Sequence, residues 1–298
     1  MKYRTFGQTG EQISILGVGG FHLSKPADPL VATRIVRTAL DRGINFLDNS
    51  WDYADGESER RMGMALRDGY REKAFLMTKI DGRTAKSARE QLEQSLRRLQ
   101  TDRVDLLQFH EVIRMDDVER IFAPGGAMES VLQARKQGKT RFIGFTGHKS
   151  PEIHKHMLDV ADQQGFRFDS LQMPLNIMDA HFRSFEQIVL PIASQKKIAI
   201  IGMKPMGDPF ILESRTVTAM ECLRYAMSLP VSVTITGIDS MDILQQALDV
   251  AERFTPLTPQ ERGELLARTA NAAKDGEWER YKVSQHFDST SLHPEWLG

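Results

Sequence analysis

Short, largely apolar runs alternate with amphipathic stretches along most of the chain. An apolar run at residues 16–20 is followed by helical spacing at residues 31–40, and this order then repeats seven times. Short apolar runs favour buried parallel strands, and amphipathic stretches favour helices that cover them. The other predicted strands are residues 44–47, 74–80, 104–109, 141–145, 171–175, 198–201 and 231–236. The other predicted helices are residues 59–66, 85–99, 128–136, 151–162, 185–195, 216–228 and 241–254.

Strict alternation of eight strands and eight helices predicts an α/β fold with a parallel sheet. An open doubly wound sheet stays possible, but eight similar units favour closure into a (β/α)8 TIM barrel. The 298 residues exceed the roughly 250 that this barrel needs. No linker or shift of composition interrupts the pattern. We therefore expect a single domain over residues 1–298, with a barrel core at about 16–254.

Segments outside the alternation predict additions to the barrel. Residues 2–6 and 12–15 are separated by Gly7-Gln8-Thr9-Gly10, which indicates an N-terminal β-hairpin. The C-terminal region, residues 255–298, contains a predicted helix at 259–273 and a tail with four large aromatic side chains. Such aromatic content favours a tail that docks on the protein.

Composition narrows the classes of function. Lysine and arginine number 39 against 40 acidic residues, so no nucleic acid or anionic membrane is expected as a partner. The single cysteine, Cys222, excludes an intramolecular disulfide and a cysteine-cluster metal site. The N-terminal residues lack the apolar segment of a signal peptide, which leads us to expect a cytoplasmic protein. The pattern carries no signal of an oligomeric state.

Ionisable side chains stand at the ends of three consecutive predicted strands. Asp48 follows the strand at 44–47, Lys79 closes the next strand, and His110 follows the one after that. Tyr53 lies five residues beyond Asp48. In a barrel, the carboxyl ends of the strands share one rim, so these side chains are expected to meet. Alone, Lys79 could be a solvated strand terminus and His110 a hydrogen-bonded rim histidine.

Together, the four side chains suit protonation of an oxygen on which negative charge develops. A phenol has a reference pKa near 10 and donates its proton poorly at neutral pH unless its anion is stabilised. The Lys79 ammonium could stabilise that anion, the Asp48 carboxylate could hold the ammonium, and His110 could orient a carbonyl oxygen. Hydride addition to a carbonyl needs such a proton donor and orienting group, together with a cofactor that supplies the hydride.

Three segments that carry these residues resemble the aldo-keto reductase superfamily: GINFLDNSWDYADGESERRMG, AFLMTK and RVDLLQFH. The N-terminal stretch YRTFGQTGEQISILGVGG is similar to the start of that family, where a hairpin closes the barrel bottom. The resemblance covers residues 3 to about 254. It implies NAD(P)H-dependent reduction of a small aldehyde or ketone, or the reverse alcohol oxidation. Tyr53 would be the general acid, Asp48 and Lys79 would tune it, and His110 would position the carbonyl.

The resemblance also implies cofactor contacts. Gln172 matches the glutamine that holds the nicotinamide carboxamide, and His148 stands where the family has a Ser-Asn pair. Met203 would lie against the nicotinamide as a thioether face. Lys204 would serve the pyrophosphate, although it could be an ordinary surface lysine. The remaining expected cofactor contacts are Gly20, Asp48, Pro205, Met206, Gly207, Gly237, Asp239, Ser240 and Gln245.

One departure from the family pattern concerns the choice of cofactor. NADP-specific relatives carry a basic residue near Asp239 and an asparagine near Ala247, where this chain has an acid and an apolar residue. A carboxylate repels a 2′-phosphate and could bind ribose hydroxyls instead, so NADP is expected with NAD possible. The pattern also resembles a branch with a ferredoxin-like extension, but one cysteine cannot hold an iron–sulfur cluster.

Three functions follow from the sequence. The first is a carbonyl reductase or alcohol dehydrogenase for a small aldehyde, ketone or sugar. Phe21, His22, Trp51 and His110 would line its pocket, although the first three could be ordinary loop packing. The second is a nucleotide-binding sensor or partner subunit with little turnover.

The third possible function is a metal-dependent barrel hydrolase. Its ligands would be Asp48, His110, Glu111 and His148. Lys79 argues against this function, because an ammonium would compete with the cation for the same carboxylate. No metal is expected in the reductase.

Overall fold

Eight parallel strands close into a barrel in the computed structural model, which describes residues Met1–Gly298. The strands of the chain are β1 Tyr3–Thr5, β2 Gln12–Ser14, β3 Leu16–Gly19, β4 Phe46–Asp48, β5 Phe75–Ile80, β6 Val104–Phe109, β7 Thr140–Thr146, β8 Ser170–Pro174, β9 Ala199–Met203 and β10 Val233–Gly237. Each of β3 to β9 pairs in parallel with the next strand, and β10 returns to β3. The predicted (β/α)8 barrel is confirmed, and the open sheet is excluded.

Helices follow the strands around the outside of the barrel. They are α1 Pro29–Asp41, α2 Glu57–Ala65, α3 Ala85–Leu99, α4 Met115–Phe122, α5 Ala127–Lys136, α6 Pro151–Gln163, α7 Phe185–Gln195, α8 Phe210–Glu213, α9 Ala219–Ser228, α10 Met241–Glu252, α11 Pro259–Ala273, α12 Arg280–Val283 and α13 Ser289–Leu292. None of them combines the length and apolar character that crossing a bilayer demands.

Helix α3 shows how the sequence specifies this outer layer. The Thr84 hydroxyl accepts a hydrogen bond from the Ser87 amide at 3.2 Å, which caps the first turn. Leu92, Leu96 and Leu99 recur at helical spacing and are buried against the barrel. Burial of each such leucine contributes roughly 1.5–3 kcal/mol.

The N-terminal hairpin, β1 and β2, closes the amino-terminal end of the barrel. Phe6, which directly follows β1, has its ring centroid 5.1 Å from that of Phe75 and 5.9 Å from that of Phe46. Phe46 and Phe75 are the first residues of β4 and β5, so the contact lies where the barrel strands begin. The opposite end, where the strands finish, is therefore the open face.

The structure differs from the sequence prediction mainly in its short helices. Helix α4 was not predicted: its eight residues bury only Asp117, Val118 and Ile121, too few positions for a clear period. Helix α2 starts at Glu57, two residues earlier than predicted, because the chain turns sharply at Gly56. Helix α9 starts at Ala219, three residues later than predicted, because Thr218 forms its cap.

The C-terminal tail, residues 275–298, docks across the open face of the barrel. Lys282, fully buried, donates to Asp179 at 2.6 Å and to Glu279 at 2.9 Å. Asp179 belongs to the connection after β8, so this ion-pair cluster fastens the tail to the rim. Further along, the Thr290 amide donates to the Glu111 carboxylate at 2.8 Å. Docking agrees with the aromatic content of the tail.

Candidate active site

The structure brings together the four ionisable side chains singled out from the sequence. Lys79, the next-to-last residue of strand β5, donates to the Asp48 carboxylate, and its ammonium lies 3.1 Å from the Tyr53 hydroxyl oxygen. The ring centroids of Tyr53 and His110 are 5.7 Å apart in an edge-to-face arrangement. The three strand-end residues and the tyrosine of the following turn therefore occupy one place on the open rim.

A sharp turn after β4 presents Tyr53 at this place. Ala54 and Asp55 adopt left-handed backbone angles, with φ of 51° and 53°. Gly56 continues the turn with φ of 81°. The left-handed region costs a residue other than glycine roughly 1–2 kcal/mol. The strained residues directly follow Tyr53, and backbone strain of this kind is concentrated at functional sites.

The net electrostatic effect on Tyr53 is opposite to the one expected from Lys79. Burial, followed by the Asp48 and Asp52 carboxylates, raises the pKa of Tyr53 well above its ordinary value. The ammonium is in contact, as expected, but it does not offset burial and the surrounding negative charge. The phenol therefore keeps its proton at neutral pH, although the same surroundings make it a weaker acid than a free phenol.

His110 lies among acidic and hydroxyl groups that sequence reasoning did not select. Its Nδ1 is 3.0 Å from an Asp81 oxygen, 3.2 Å from an Asp52 oxygen and 3.2 Å from the Ser50 hydroxyl. Burial lowers the pKa of His110, but the Asp52 and Asp81 carboxylates outweigh burial and raise it to about 10. Asp52 adjoins Tyr53 and Asp81 lies two residues beyond Lys79, so adjacency to the predicted residues was the available signal.

Gln172 links Asp48 to the place expected for the cofactor. Its side-chain nitrogen donates to the Asp48 carboxylate at 2.6 Å. Its side-chain oxygen is buried and has no partner within the protein. A buried acceptor without a donor is costly, and an amide such as the carboxamide of nicotinamide would satisfy it. The residues present thus fit the group that the sequence predicts.

Other expected cofactor residues lie along the rim at the ends of β9 and β10. Met203 ends β9, with its sulfur 3.9 Å from the Thr146 hydroxyl. Enclosure lowers the pKa of the Lys204 ammonium, which lies 5.2 Å from the centroid of the Tyr281 ring. Pro205, Met206 and Gly207 continue from Lys204, and Gly207 turns the chain with φ of 60°.

The expected adenosine residues stand between β10 and α10. Gly237 ends β10, Asp239 follows in the connection, and the Ser240 hydroxyl accepts from the Ile243 amide at 3.2 Å as the cap of α10. Gln245 is exposed on α10 and donates to Asp249 at 2.8 Å.

Two expected cofactor residues have close protein partners. The ring of His148 is 3.1 Å from an oxygen of Asp288 in the tail, so the tail engages one of its two nitrogens. A side chain at Gly20 would come within 2.6 Å of the Asp48 carbonyl oxygen and 2.8 Å of Asn49. The backbone of Asp48, the last residue of β4, therefore packs directly against this glycine.

The expected pocket residues take three different positions. Phe21 packs edge-on against Tyr53 at 5.4 Å between centroids and is 47% exposed, so it stands beside the phenol. His22 has its Nε2 3.3 Å from an Asp208 oxygen, which joins two connections across the rim. Trp51 donates to Gln94 at 2.7 Å, the contact of a packing residue.

The ligand set of the metal-hydrolase alternative is dispersed among other partners. Asp48 is paired with Lys79, and His148 faces Asp288. Glu111 accepts from two amides at the start of α13, those of Ser289 at 3.1 Å and Thr290 at 2.8 Å. Each carboxylate thus has a cation or amide donors already in place, which disfavours a metal held by this set.

The amino-acid sequence is similar to those of known proteins. The profile of the Aldo/keto reductase family matches residues 15–220. L-galactose dehydrogenase of Arabidopsis thaliana is 33% identical over 228 residues, which cover 72% of this chain and 68% of that protein. Aldo-keto reductase YhdN of Bacillus subtilis (strain 168) is 29% identical over 220 residues, or 67% of this chain. That match covers 61% of YhdN, less than two thirds of its length.

A solved structure agrees with the barrel described above. The aldo-keto reductase AKR11C1 from Bacillus halodurans, in its holo form, superposes with a TM-score of 0.75 at 22% sequence identity. The superposition covers 92% of this chain and 100% of that chain. At this identity the likeness concerns the fold.

Proposed function

The chain belongs to the aldo/keto reductase family and is an NAD(P)-dependent oxidoreductase, and on this premise we propose that it reduces small aldehydes or ketones with Tyr53 as the general acid. The observation that carries the proposal is the contact of 3.1 Å between the Lys79 ammonium and the Tyr53 hydroxyl at the open face of the barrel.

The cofactor, when bound, supplies the hydride. The chain's own task is to deliver a proton to the carbonyl oxygen, which becomes basic as hydride adds to the carbon. Tyr53 gives up that proton, and the neighbouring Lys79 ammonium stabilises the phenolate that remains. Asp48 holds the ammonium in position. In the oxidative direction the same phenolate would accept a proton from an alcohol.

His110 binds and orients the substrate oxygen in this proposal. Its ring is edge-on to Tyr53, so an oxygen between them can reach both the phenol and the imidazole. Nδ1 is occupied by acidic partners, which leaves Nε2 for the substrate. Two donors on one oxygen fix its position and stabilise the charge that develops there.

Cofactor binding would use the half of the rim formed by β8, β9 and β10. Gln172 would receive the carboxamide on its unpartnered oxygen, and Met203 would face the nicotinamide ring. Lys204 and the backbone near Gly207 would serve the pyrophosphate. We propose NADP as the usual cofactor. NAD is kept as an alternative, because the Asp239 carboxylate disfavours a 2′-phosphate.

A small carbonyl compound is the proposed substrate class. Phe21 offers a partly exposed ring next to the phenol, which suits an apolar part of such a molecule. Similarity to a protein named L-galactose dehydrogenase supports including sugars and running the assay in both directions.

The test combines binding with turnover. Purified protein is titrated with NADPH and with NADH while nicotinamide fluorescence is followed. Oxidation of each cofactor is then measured with a panel of small aldehydes, ketones and sugars. We expect saturable binding and turnover that Tyr53→Phe abolishes. Binding without turnover on any carbonyl or alcohol would instead favour the nucleotide sensor, and the absence of binding would contradict both functions.

A further inference from the structure

Two buried carboxylates converge on a single nitrogen of His110. An oxygen of Asp81 lies 3.0 Å from Nδ1 and an oxygen of Asp52 lies 3.2 Å from it. Asp81 is fully buried, and the side chain of Asp52 is only 7% exposed. Neither residue is used by the acid, the ammonium or the cofactor contacts described above.

The oxygens around this nitrogen outnumber the hydrogens that it can donate. Nδ1 carries at most one hydrogen, and three oxygens lie within 3.2 Å of it, those of Asp52, Asp81 and Ser50. The Asp52 oxygen that faces Nδ1 lies at ion-pair distance without forming a hydrogen bond, and the second oxygen of Asp81 is also buried without a partner. Two carboxylates this close repel each other unless a cation lies between them.

We propose that Asp52 and Asp81 are positioning residues that hold His110 as an imidazolium, whose Nε2 then offers a cationic hydrogen bond to the carbonyl oxygen of the substrate. The inference rests on the proposed function. In this arrangement Nδ1–H is donated to Asp81, the Asp52 carboxylate lies at ion-pair distance from the same nitrogen, and the Nε2 proton stays on the ring. The proton delivered to the product still comes from Tyr53, so His110 stabilises the alkoxide charge without being consumed.

The charges facing His110 favour the cation. The groups around the ring and its backbone are Asp52 and Asp81 on Nδ1, Tyr53 edge-on to the ring, Arg83 on the carbonyl oxygen of His110, Lys79 beside Tyr53, and Glu111 as the next residue. The two carboxylates in direct contact explain why the pKa of His110 rises to about 10 although burial acts in the opposite direction.

A bound divalent cation is the competing way to neutralise this cluster. The carboxylate oxygens of Asp52 and Asp81 and the ring nitrogen of His110 lie within 4.8 Å of one another. Three ligands of one metal ion could have the same spacing. We favour the imidazolium because the nitrogen–oxygen distances are those of ordinary hydrogen bonds. Once the ring carries both protons, its positive charge reduces the repulsion between the two carboxylates without an added ion.

The first experiment measures the protonation of His110 directly. Full-length protein with ¹⁵N-labelled histidine is titrated by NMR, and the His110→Asn variant assigns the signal. We expect the His110 ring to remain an imidazolium from pH 6 to about pH 9. A neutral ring at pH 7 would overturn the proposal, as would a divalent metal retained at the cluster after dialysis.

The second experiment asks whether the carboxylates cause this charge. In Asp52→Asn/Asp81→Asn, burial still lowers the pKa of His110, but the two carboxylates that raise it are gone. The ring should therefore titrate below the ordinary histidine range. Reduction at pH 7 should fall on the order of a hundredfold and recover as the pH is lowered. Each single variant should fall between the wild type and the double variant, which keeps the test available if the double variant folds poorly.

A matched control separates this effect from the loss of any buried carboxylate. Asp105 is buried near the start of β6, where it binds Arg71 at 3.0 Å, and it is remote from the carboxyl ends of the strands. Asp105→Asn should leave the pH profile of reduction unchanged. A double variant that keeps the wild-type profile would contradict the inference. The NMR result does not depend on turnover, so an inactive wild type would refute the proposed function and leave the charge of His110 measurable.

Discussion

The two halves of the open rim differ in the partners of their central side chains. On the half formed by β4, β5 and β6, Asp48 and Lys79 are paired and both are buried. On the half formed by β8, β9 and β10, the buried side-chain oxygen of Gln172 has no partner within the protein. On the first half the ion pair is in place in advance, while Asp52 and Asp81 each keep an unpartnered oxygen. The second half has a free acceptor where the cofactor is expected.

This difference separates two tasks of a reductase. A proton donor works best when its neighbours are fixed before the substrate arrives, because no reorganisation is then needed during the reaction. A cofactor site must instead bind and release its occupant, so its groups are satisfied by the ligand. The comparison predicts large losses of stability and activity on the first half and effects linked to the cofactor on the second.

The largest effect is expected from breaking the buried ion pair on the preorganised half. Lys79→Met leaves the Asp48 carboxylate buried without its cation, which should cost about 3–5 kcal/mol of unfolding free energy. Reduction should also collapse, because the phenolate loses its stabilising charge. Urea unfolding and steady-state turnover measure the two effects.

A double variant separates stability from catalysis at the same pair. Asp48→Asn/Lys79→Met removes both charges, so much of the stability should return while reduction stays abolished. If activity returned together with stability, the ammonium would have only a structural role.

The alkaline side of the pH–stability curve tests the histidine cluster of the same half. The pKa of His110 in the folded protein, about 10, lies above its ordinary value of 6.5. Its stabilisation is therefore complete below pH 6.5 and is lost as the pH rises through 10, at about 1.4 kcal/mol per unit of pKa shift. The unfolding free energy should decrease more between pH 7 and pH 10 in the wild type than in Asp52→Asn/Asp81→Asn. Equal falls would assign the alkaline loss to other groups.

Cofactor binding should stabilise the protein, because the cofactor would supply a hydrogen-bond partner on the half of the rim formed by β8, β9 and β10. At one hundred times its dissociation constant, NADPH should raise the unfolding free energy by about 2.7 kcal/mol. Gln172→Ala should weaken binding of NADPH, because the acceptor for its carboxamide is lost. Thermal unfolding with and without cofactor measures both. An unchanged dissociation constant in Gln172→Ala would place the nicotinamide elsewhere.

The smallest expected effect concerns cofactor choice at the far end of the second half. Asp239→Arg replaces a charge that repels a 2′-phosphate by one that attracts it. The affinity for NADPH relative to NADH should rise about tenfold, or about 1.4 kcal/mol. Fluorescence titration with both cofactors measures the ratio. No change would mean that the adenosine lies away from Asp239.

The sequence revealed the preorganised half better than the rest of the rim. Asp48, Lys79 and His110 were predictable because each follows an apolar strand, and the ends of parallel strands share one edge. Asp52 and Asp81 were missed because acidic residues are common in turns, and only the fold shows that they converge on one nitrogen. The contact between His148 and Asp288 could not be predicted from sequence, because the two residues are 140 positions apart.

The tail shows the same limit at the level of the fold. Its four aromatic residues favoured docking, but the place of docking depends on charges. Lys282, Glu279 and Asp179 form one buried cluster that spans 103 positions between Asp179 and Lys282. Local periodicity cannot predict a contact of this kind, since no pattern within either segment refers to the other.

Single-turnover kinetics of Tyr53→Phe test the central claim most directly. Wild type and variant are loaded with NADPH, their dissociation constants are compared by fluorescence, and one turnover is started with a carbonyl substrate that the wild type reduces. We predict closely similar cofactor affinities and a rate of hydride transfer that falls by at least about a thousandfold in the variant. A variant that binds cofactor and transfers hydride at the wild-type rate would contradict the account, because the proton would then come from another group.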